Sequence, residues 1–289
     1  MTRKRRGGKT GTKKRAMCAP GKGSEHTCYS DESLMKMRTF WNSSYPNNKI
    51  TATSAKDIWA QLYKKMNSTC SKENCWLEQP FMRQKIDEEM RDSFAPKHPD
   101  SWNKNPNEWL SNVDIANVLK QFEKHYKCFK FLGPYPIDFD LKKGGTCIEE
   151  EMCKFHIKDW MNKNKTKIGF VFNTDPHDKG GEHWISLFIN AKTEEIFFFD
   201  SAGDEITPEI QKFVDRVIAH GKEMTPQKKF IFDQNAPFKH QHTTTECGMY
   251  SLYFIINMLR DKTNKKLLKT KRVPDSEMTS YRKVYFNES

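Results

Sequence analysis

No stretch of the 289 residues approaches the 18 or so apolar residues that a membrane-spanning helix needs; the longest clean apolar run is Leu252–Ile256. No apolar segment follows Met1, so no secretory leader is expected and the chain is read as not secreted. No internal repeat and no glycine-rich phosphate loop are visible. Acidic residues are missing from residues 1–22, which hold nine of the 49 Lys and Arg. That leaves 40 bases against 37 acids elsewhere, so the formal charge of +12 belongs mostly to a tail. The tail has almost nothing apolar to bury and is expected to be disordered. It is a candidate for non-specific nucleic-acid contact, although no aromatic residue interleaves its charges as a stacking platform requires.

The eight cysteines, at 18, 28, 70, 75, 128, 147, 153 and 247, lack regular spacing. In a chain this long with no leader, reduced thiols are expected. Cys70-x4-Cys75 and Cys147-x5-Cys153-x2-His156 are zinc-like fragments, but neither has a second well-spaced pair, so no metal is expected.

Twenty Phe and seven Trp can build a substantial core. Residues 31–90 read as helical. Ser30 or Asp31 caps a first helix through Leu34, Met37 and Phe40; Ile58, Leu62 and Met66 recur every four residues within Ala55–Met66; Pro80–Phe94 gives a further segment. The Pro- and Asn-rich stretch 95–107 reads as a linker. The expected organisation is a basic tail (1–22), a helical arm (23–106) and a core domain (107–289). In the core, Trp109–Tyr126 has helical period, then Lys167–Asn173, His183–Ile189 and Glu195–Asp200 read as strands rich in Phe, Ile and Val. Thr207 caps an amphipathic helix with Pro208 at its first position, Phe230–Asp233 is a short strand, and Cys247–Leu259 is apolar almost all round and must be buried. The fold class is α+β, a small central sheet packed on a buried helix.

Cys247 is placed unlike the other cysteines. It opens the buried helix, where the positive end of the helix dipole favours a thiolate. Gly248 follows it and would let a substrate carbonyl approach the backbone. A nucleophilic thiol needs an imidazole and an orienting group. His183 opens one strand and Asp200 closes the next. Gln241, in the turn before the same helix, could donate to an oxyanion. Singly each is weak; an Asp at a strand end usually caps a turn. Their conjunction, His-Trp, a strand-terminal Asp, then Gln-x5-Cys-Gly, is specific.

This order resembles the SUMO-protease-like (ubiquitin-like-protease clan, adenain-like) cysteine peptidases, most of all the maturation proteases of large DNA viruses of asfarvirus or poxvirus type. The residues that carry the resemblance are Trp109-Leu110-Ser111-Asn112, Phe172-Asn173-Thr174-Asp175, His183-Trp184, Asp200-Ser201-Ala202-Gly203, His240-Gln241 and Thr245-Glu246-Cys247-Gly248, spanning roughly 107–260. It implies a mixed sheet, Cys247 as nucleophile, His183 as base and then acid, Asp200 as orienter, and Gln241 with the Cys247 N–H as oxyanion hole. It also implies that Trp109 and Trp184 clamp a Gly-Gly segment before the scissile bond, with Gly248 among the substrate-binding residues. Trp109 equally suits an anchor for the first core helix, and Trp184 a core position. Asn112 stands where the family's opening motif usually ends in Asp, which favours a viral polyprotein substrate over SUMO. The implied activity is an endopeptidase cutting after Gly-Gly in virion precursors, without a cofactor, in the virion and host-cell cytoplasm. The alternatives are an isopeptidase acting on SUMO-like conjugates and, in another class, an inactive basic-tailed scaffold or nucleic-acid-binding protein. Gly7-Gly8-Lys9 in the tail is a candidate for self-trimming.

Overall fold

The computed structural model describes residues 16–70 and 72–288. Two compact units divide at Phe94/Ala95. In the first, α1 (Asp31–Ser44) and α2 (Ala55–Met66) start at Ser30 and Ser54, whose hydroxyls accept from the backbone N–H groups of Ser33 and Asp57. After 3₁₀ turns over 73–82 comes the short α3 (Glu88–Arg91). Leu34, Met37, Ile58, Leu62, Trp76 and Phe81 form its core. The buried Glu73 carboxylate accepts from the Thr27 hydroxyl, the Cys28 N–H and the Trp59 indole, so its charge is spread over three donors.

In the second unit α4 (Asn112–His125) leads to β1 (Phe129–Pro136), the small hairpin β2 (Lys142–Lys143) and β3 (Thr146–Cys147), then α5 (Glu150–Cys153) and α6 (Ile157–Asn162). β4 (Lys167–Asn173), β5 (Trp184–Asn190) and β6 (Glu195–Phe199) follow, then α7 (Pro208–Lys222), β7 (Ile231–Gln234), α8 (Cys247–Leu259), α9 (Lys265–Leu268) and α10 (Asp275–Tyr285). The five-stranded sheet is mixed, in the order β1-β4-β5-β6-β7, with parallel outer pairs and antiparallel inner ones. Both faces are covered, which is why the strands read as unbroken apolar runs. Phe188, Phe197 and Phe199 face Met249, Leu252 and Phe254 of α8. The alternate residues Leu187, Ile189 and Phe198 face Phe213, Val214 and Val217 of α7. The helix that begins with Cys247 is therefore fixed against the middle of the sheet.

Several expectations are corrected. Residues 1–15 lie outside the described residues, and with them Gly7-Gly8-Lys9. Residues 16–22, expected to be disordered, are part of the first unit: Ala16 and Ala19 are buried, and Ala19 donates to the Ser93 carbonyl. The side chains of Ala16 and Ala19 supply that burial. The linker belongs to the second unit, because Trp102 packs edge-on against Phe286 and Asn287 donates to the Ala95 carbonyl. Three cysteine pairs expected to be reduced are joined: Cys18–Cys28, Cys70–Cys75 and Cys147–Cys153. Short loops bring each pair's Cα atoms to between 5.2 and 6.5 Å, within bridging range. Cys128 and Cys247 are free. Trp109 precedes α4 instead of lying in it, because the capping box of Ser111 and Asp114 sets the helix start. Thr207 occupies the cap position of α7 but its hydroxyl makes no capping bond. Among the described residues no helix is long and apolar enough to cross a membrane.

Candidate active site

β5 is antiparallel to β6, so the residue before β5 and the residue after β6 meet at one rim of the sheet. These are His183 and Asp200. The His183 Nε2 atom lies 2.6 Å from Asp200 Oδ1. Asp200 is almost wholly buried, and its carboxylate also accepts from the Ala202 N–H at 2.8 Å. Asn235, on the loop after β7, fixes the backbone there: its Oδ1 accepts from the Asp200 N–H at 2.9 Å and its Nδ2 donates to the Asp200 carbonyl at 2.7 Å. Asp200 is thus locked by groups other than its histidine.

α8 brings Cys247 to the same rim. Its sulfur is close enough to His183 to act on the proton affinity of the imidazole. Because Nε2 is taken by Asp200, Nδ1 is the imidazole nitrogen left to face sulfur. Burial alone would lower the imidazole pKa, but the hydrogen bonds and charges of Asp200 and Cys247 outweigh it and raise it to about 10. The ring is held where it readily carries a proton. Cys247 is the first residue of α8, so its N–H is among those with no partner inside the helix.

Gln241 is buried beside them. Its amide oxygen accepts from the Ser201 hydroxyl at 2.7 Å, its backbone N–H donates to the Ser201 carbonyl at 2.8 Å, and one amide N–H donates to the Thr243 carbonyl at 2.7 Å. The second N–H of the amide remains for a further acceptor. Acyl transfer through a thioester needs an acceptor for a thiol proton, a group that orients it and amide donors for an oxyanion, and His183, Asp200 and Gln241 are residues of those types.

A cavity of about 780 Å³ opens in the same unit, lined among others by Trp109, Asn112, Tyr135, Gly181 and Trp184. Trp109 is 42 % exposed, whereas Trp184 is buried and its indole donates to the Leu110 carbonyl at 2.9 Å. The structure therefore brings both tryptophans to one cleft, with Trp184 also part of the core. At Gly248 a Cβ would lie 2.8 Å from Leu110 Cβ, so glycine there lets the segment before α4 pack against α8. Sequence reasoning missed Asn235, Ser201 as a partner of Gln241, and the segment after α8. Ser201 had a signal, since it follows Asp200 directly. Asn235 had none, being an ordinary polar residue in a loop. Among the described residues no cluster of three or more His, Cys, Asp or Glu is placed to hold a metal ion.

Comparison with known proteins adds a family. Residues 113–289, more than half of the chain, match the model of the Ulp1 protease family, C-terminal catalytic domain. A protein of Acanthamoeba polyphaga mimivirus, named as a thiol protease, is 25% identical over 280 residues, covering 90% of this chain and 89% of that protein. A protein of African swine fever virus, named as a SUMO-1 cysteine protease, is 25% identical over 249 residues, covering 80% of this chain and 88% of that protein. The crystal structure of an African swine fever virus protease superposes with a TM-score of 0.66 at 20% identity, covering 95% of this chain and 96% of that one, and shows the same fold. The relatives named are viral thiol and cysteine proteases. The chain belongs to the Ulp1 protease family and is a cysteine peptidase.

Proposed function

We propose that the chain is an endopeptidase that cuts after Gly-Gly in viral precursor proteins during virion maturation, with Cys247, His183, Asp200 and Gln241 as its machinery. The observation that carries the reading is the 2.6 Å His183–Asp200 contact beside the buried thiol of Cys247 at the start of α8. Cys247 Sγ attacks the scissile carbonyl carbon while its proton is held on His183. The carbonyl oxygen, now negative, takes hydrogen bonds from the Cys247 N–H and the Gln241 amide. Collapse expels the amine, which leaves with the proton from His183, and the acyl group stays on sulfur as a thioester. Water, deprotonated by His183, then releases the acid and restores the thiol. Trp109 and Trp184 flank the entry, a slot that two glycines pass and larger side chains do not. Protein substrates carrying Gly-Gly-X are the partners. The basic residues 1–22 would keep the enzyme near nucleic acid in the virion and viral factory, and residues 1–15 of that tail lie outside the described residues.

A second reading, removal of a SUMO-like modifier from conjugates, is favoured by the name of the African swine fever virus relative, a SUMO-1 cysteine protease. The inactive-scaffold reading is opposed by the presence of all four residues in the chain. The test is cleavage of Gly-Gly-X peptides and of a SUMO fusion by the purified chain, beside Cys247→Ala and a substrate with Ala for Gly. Peptide cleavage that needs Cys247 and both glycines supports the endopeptidase. Cleavage of the fusion alone supports modifier removal. No cleavage of either, with Cys247 no more reactive than Cys128, overturns both.

A further inference from the structure

The loop 240–246 carries Gln241 and ends at Cys247, yet it has almost no regular structure of its own. Its geometry comes from the segment after α8. His240 is wholly buried, and both ring nitrogens are tied to that segment. The Val273 N–H donates to Nδ1 at 3.1 Å, and Nε2 bonds the Leu268 carbonyl at 2.8 Å. That pattern requires a neutral ring protonated on Nε2. Arg272 Nε donates to the His240 carbonyl at 2.7 Å. At the N-terminus of α10, the Asp275 carboxylate accepts from the His242 N–H and the Thr243 hydroxyl, each at 3.2 Å, and from the Tyr250 hydroxyl of α8 at 3.3 Å. Thr243 is also the residue whose carbonyl anchors the Gln241 amide. Near the other end of α10, Arg282 pairs with Glu246 at 3.0 Å, and both side chains are almost fully buried. The guanidinium lies 4.4 Å over the Trp102 ring. Glu246 is the cap residue directly before Cys247.

We propose that Asp275 and Arg282, gripping the loop at its beginning and its end, are positioning residues that hold Gln241 and the Cys247 N–H in oxyanion-binding geometry. Neither touches the reacting atoms. The inference rests on the catalytic roles proposed above, but the hold on the loop is measurable without them.

The experiment uses the full chain with Asp275→Ala, Asp275→Asn, Arg282→Met and Arg282→Lys. It reads kcat and KM on a Gly-Gly-X peptide, the rate of Cys247 alkylation by iodoacetamide, and hydrogen exchange of the loop amides. Alkylation at a saturated carbon uses the thiolate and needs no oxyanion hole. In folded Asp275→Ala, kcat is expected to fall by about 10- to 100-fold. KM and the alkylation rate should stay within about twofold, with faster exchange at residues 241–243. The Arg282→Lys and Asp275→Asn proteins should recover part of the loss shown by Arg282→Met and Asp275→Ala. Unchanged exchange in folded Asp275→Ala and Arg282→Met overturns the inference whether or not the wild type cleaves. So does alkylation that slows in step with cleavage, because the loss would then be of the thiol and not of the hole. If the wild type does not cleave Gly-Gly peptides, the functional reading fails separately, and the exchange data still decide this one.

Discussion

The two faces of the central sheet use the same kind of residue for different ends. Toward α7 the sheet presents Leu187, Ile189 and Phe198 to Phe213, Val214 and Val217, and every one of these side chains is apolar. Toward α8 it presents Phe188, Phe197 and Phe199 to Met249, Leu252 and Phe254, but this layer ends at a polar rim holding His183, Asp200, Gln241 and Cys247. Burying polar groups without partners is costly, and here each has them: Asn235 and Ala202 for Asp200, Ser201 and Thr243 for Gln241. The lesson is that one face can be repacked at a cost in stability alone, whereas the rim of the other is specified atom by atom.

That contrast can be broken or sharpened by substitution, taken from the largest expected effect downward. Cys247→Ala, measured by peptide cleavage, should lose activity by more than about 10³-fold with the fold intact, since a residue of the nucleophilic pair dominates the rate. Gln241→Ala should lower kcat by about 10²- to 10³-fold while Cys247 alkylation continues. Phe213→Ala, on the α7 face, should cost about 3–5 kcal/mol in denaturant unfolding, with the activity of the folded fraction unchanged. If its activity falls at full folding, the two faces are not separate in the way described. The pH profile of kcat/KM gives a subtler contrast. His183 is raised to about 10, so its protonated form is present below that pH and lost as pH rises through about 10. The alkaline limb should lie there, and Asp200→Asn should move it to lower pH by removing a group that raises the imidazole. Thr207→Ala should be the mildest change, well under 1 kcal/mol in denaturant unfolding, because the hydroxyl makes no capping bond to lose.

Much of the core was legible in the sequence because both of its signals are strong. β4 coincides with the expected run Lys167–Asn173, and α8 with Cys247–Leu259, since a layer buried on both sides leaves no polar interruption. β1 was not legible. Gly133-Pro134 interrupts the run with two turn formers, and in the structure the strand carries an irregularity between Leu132 and Tyr135 at that point. α10 is polar overall, and its importance lies in Asp275 and Arg282, whose partners in the loop before Cys247 are 32 to 36 residues away in sequence. Local patterns hold no record of such pairings. The candidate residues His183, Asp200, Gln241 and Cys247 could be proposed from order and spacing, while the groups that hold them could not. Gly248 also has a packing role that spacing did not indicate, since Leu110 lies where a Cβ would be.

The central claim is that Cys247 and His183 act as one reactive pair at the rim of the sheet. The most direct measurement is the pH dependence of Cys247 alkylation by iodoacetamide in the wild type and in His183→Ala. Alkylation that is many-fold faster in the wild type than in the variant is the predicted result. Profiles that coincide in the wild type and the variant would contradict it.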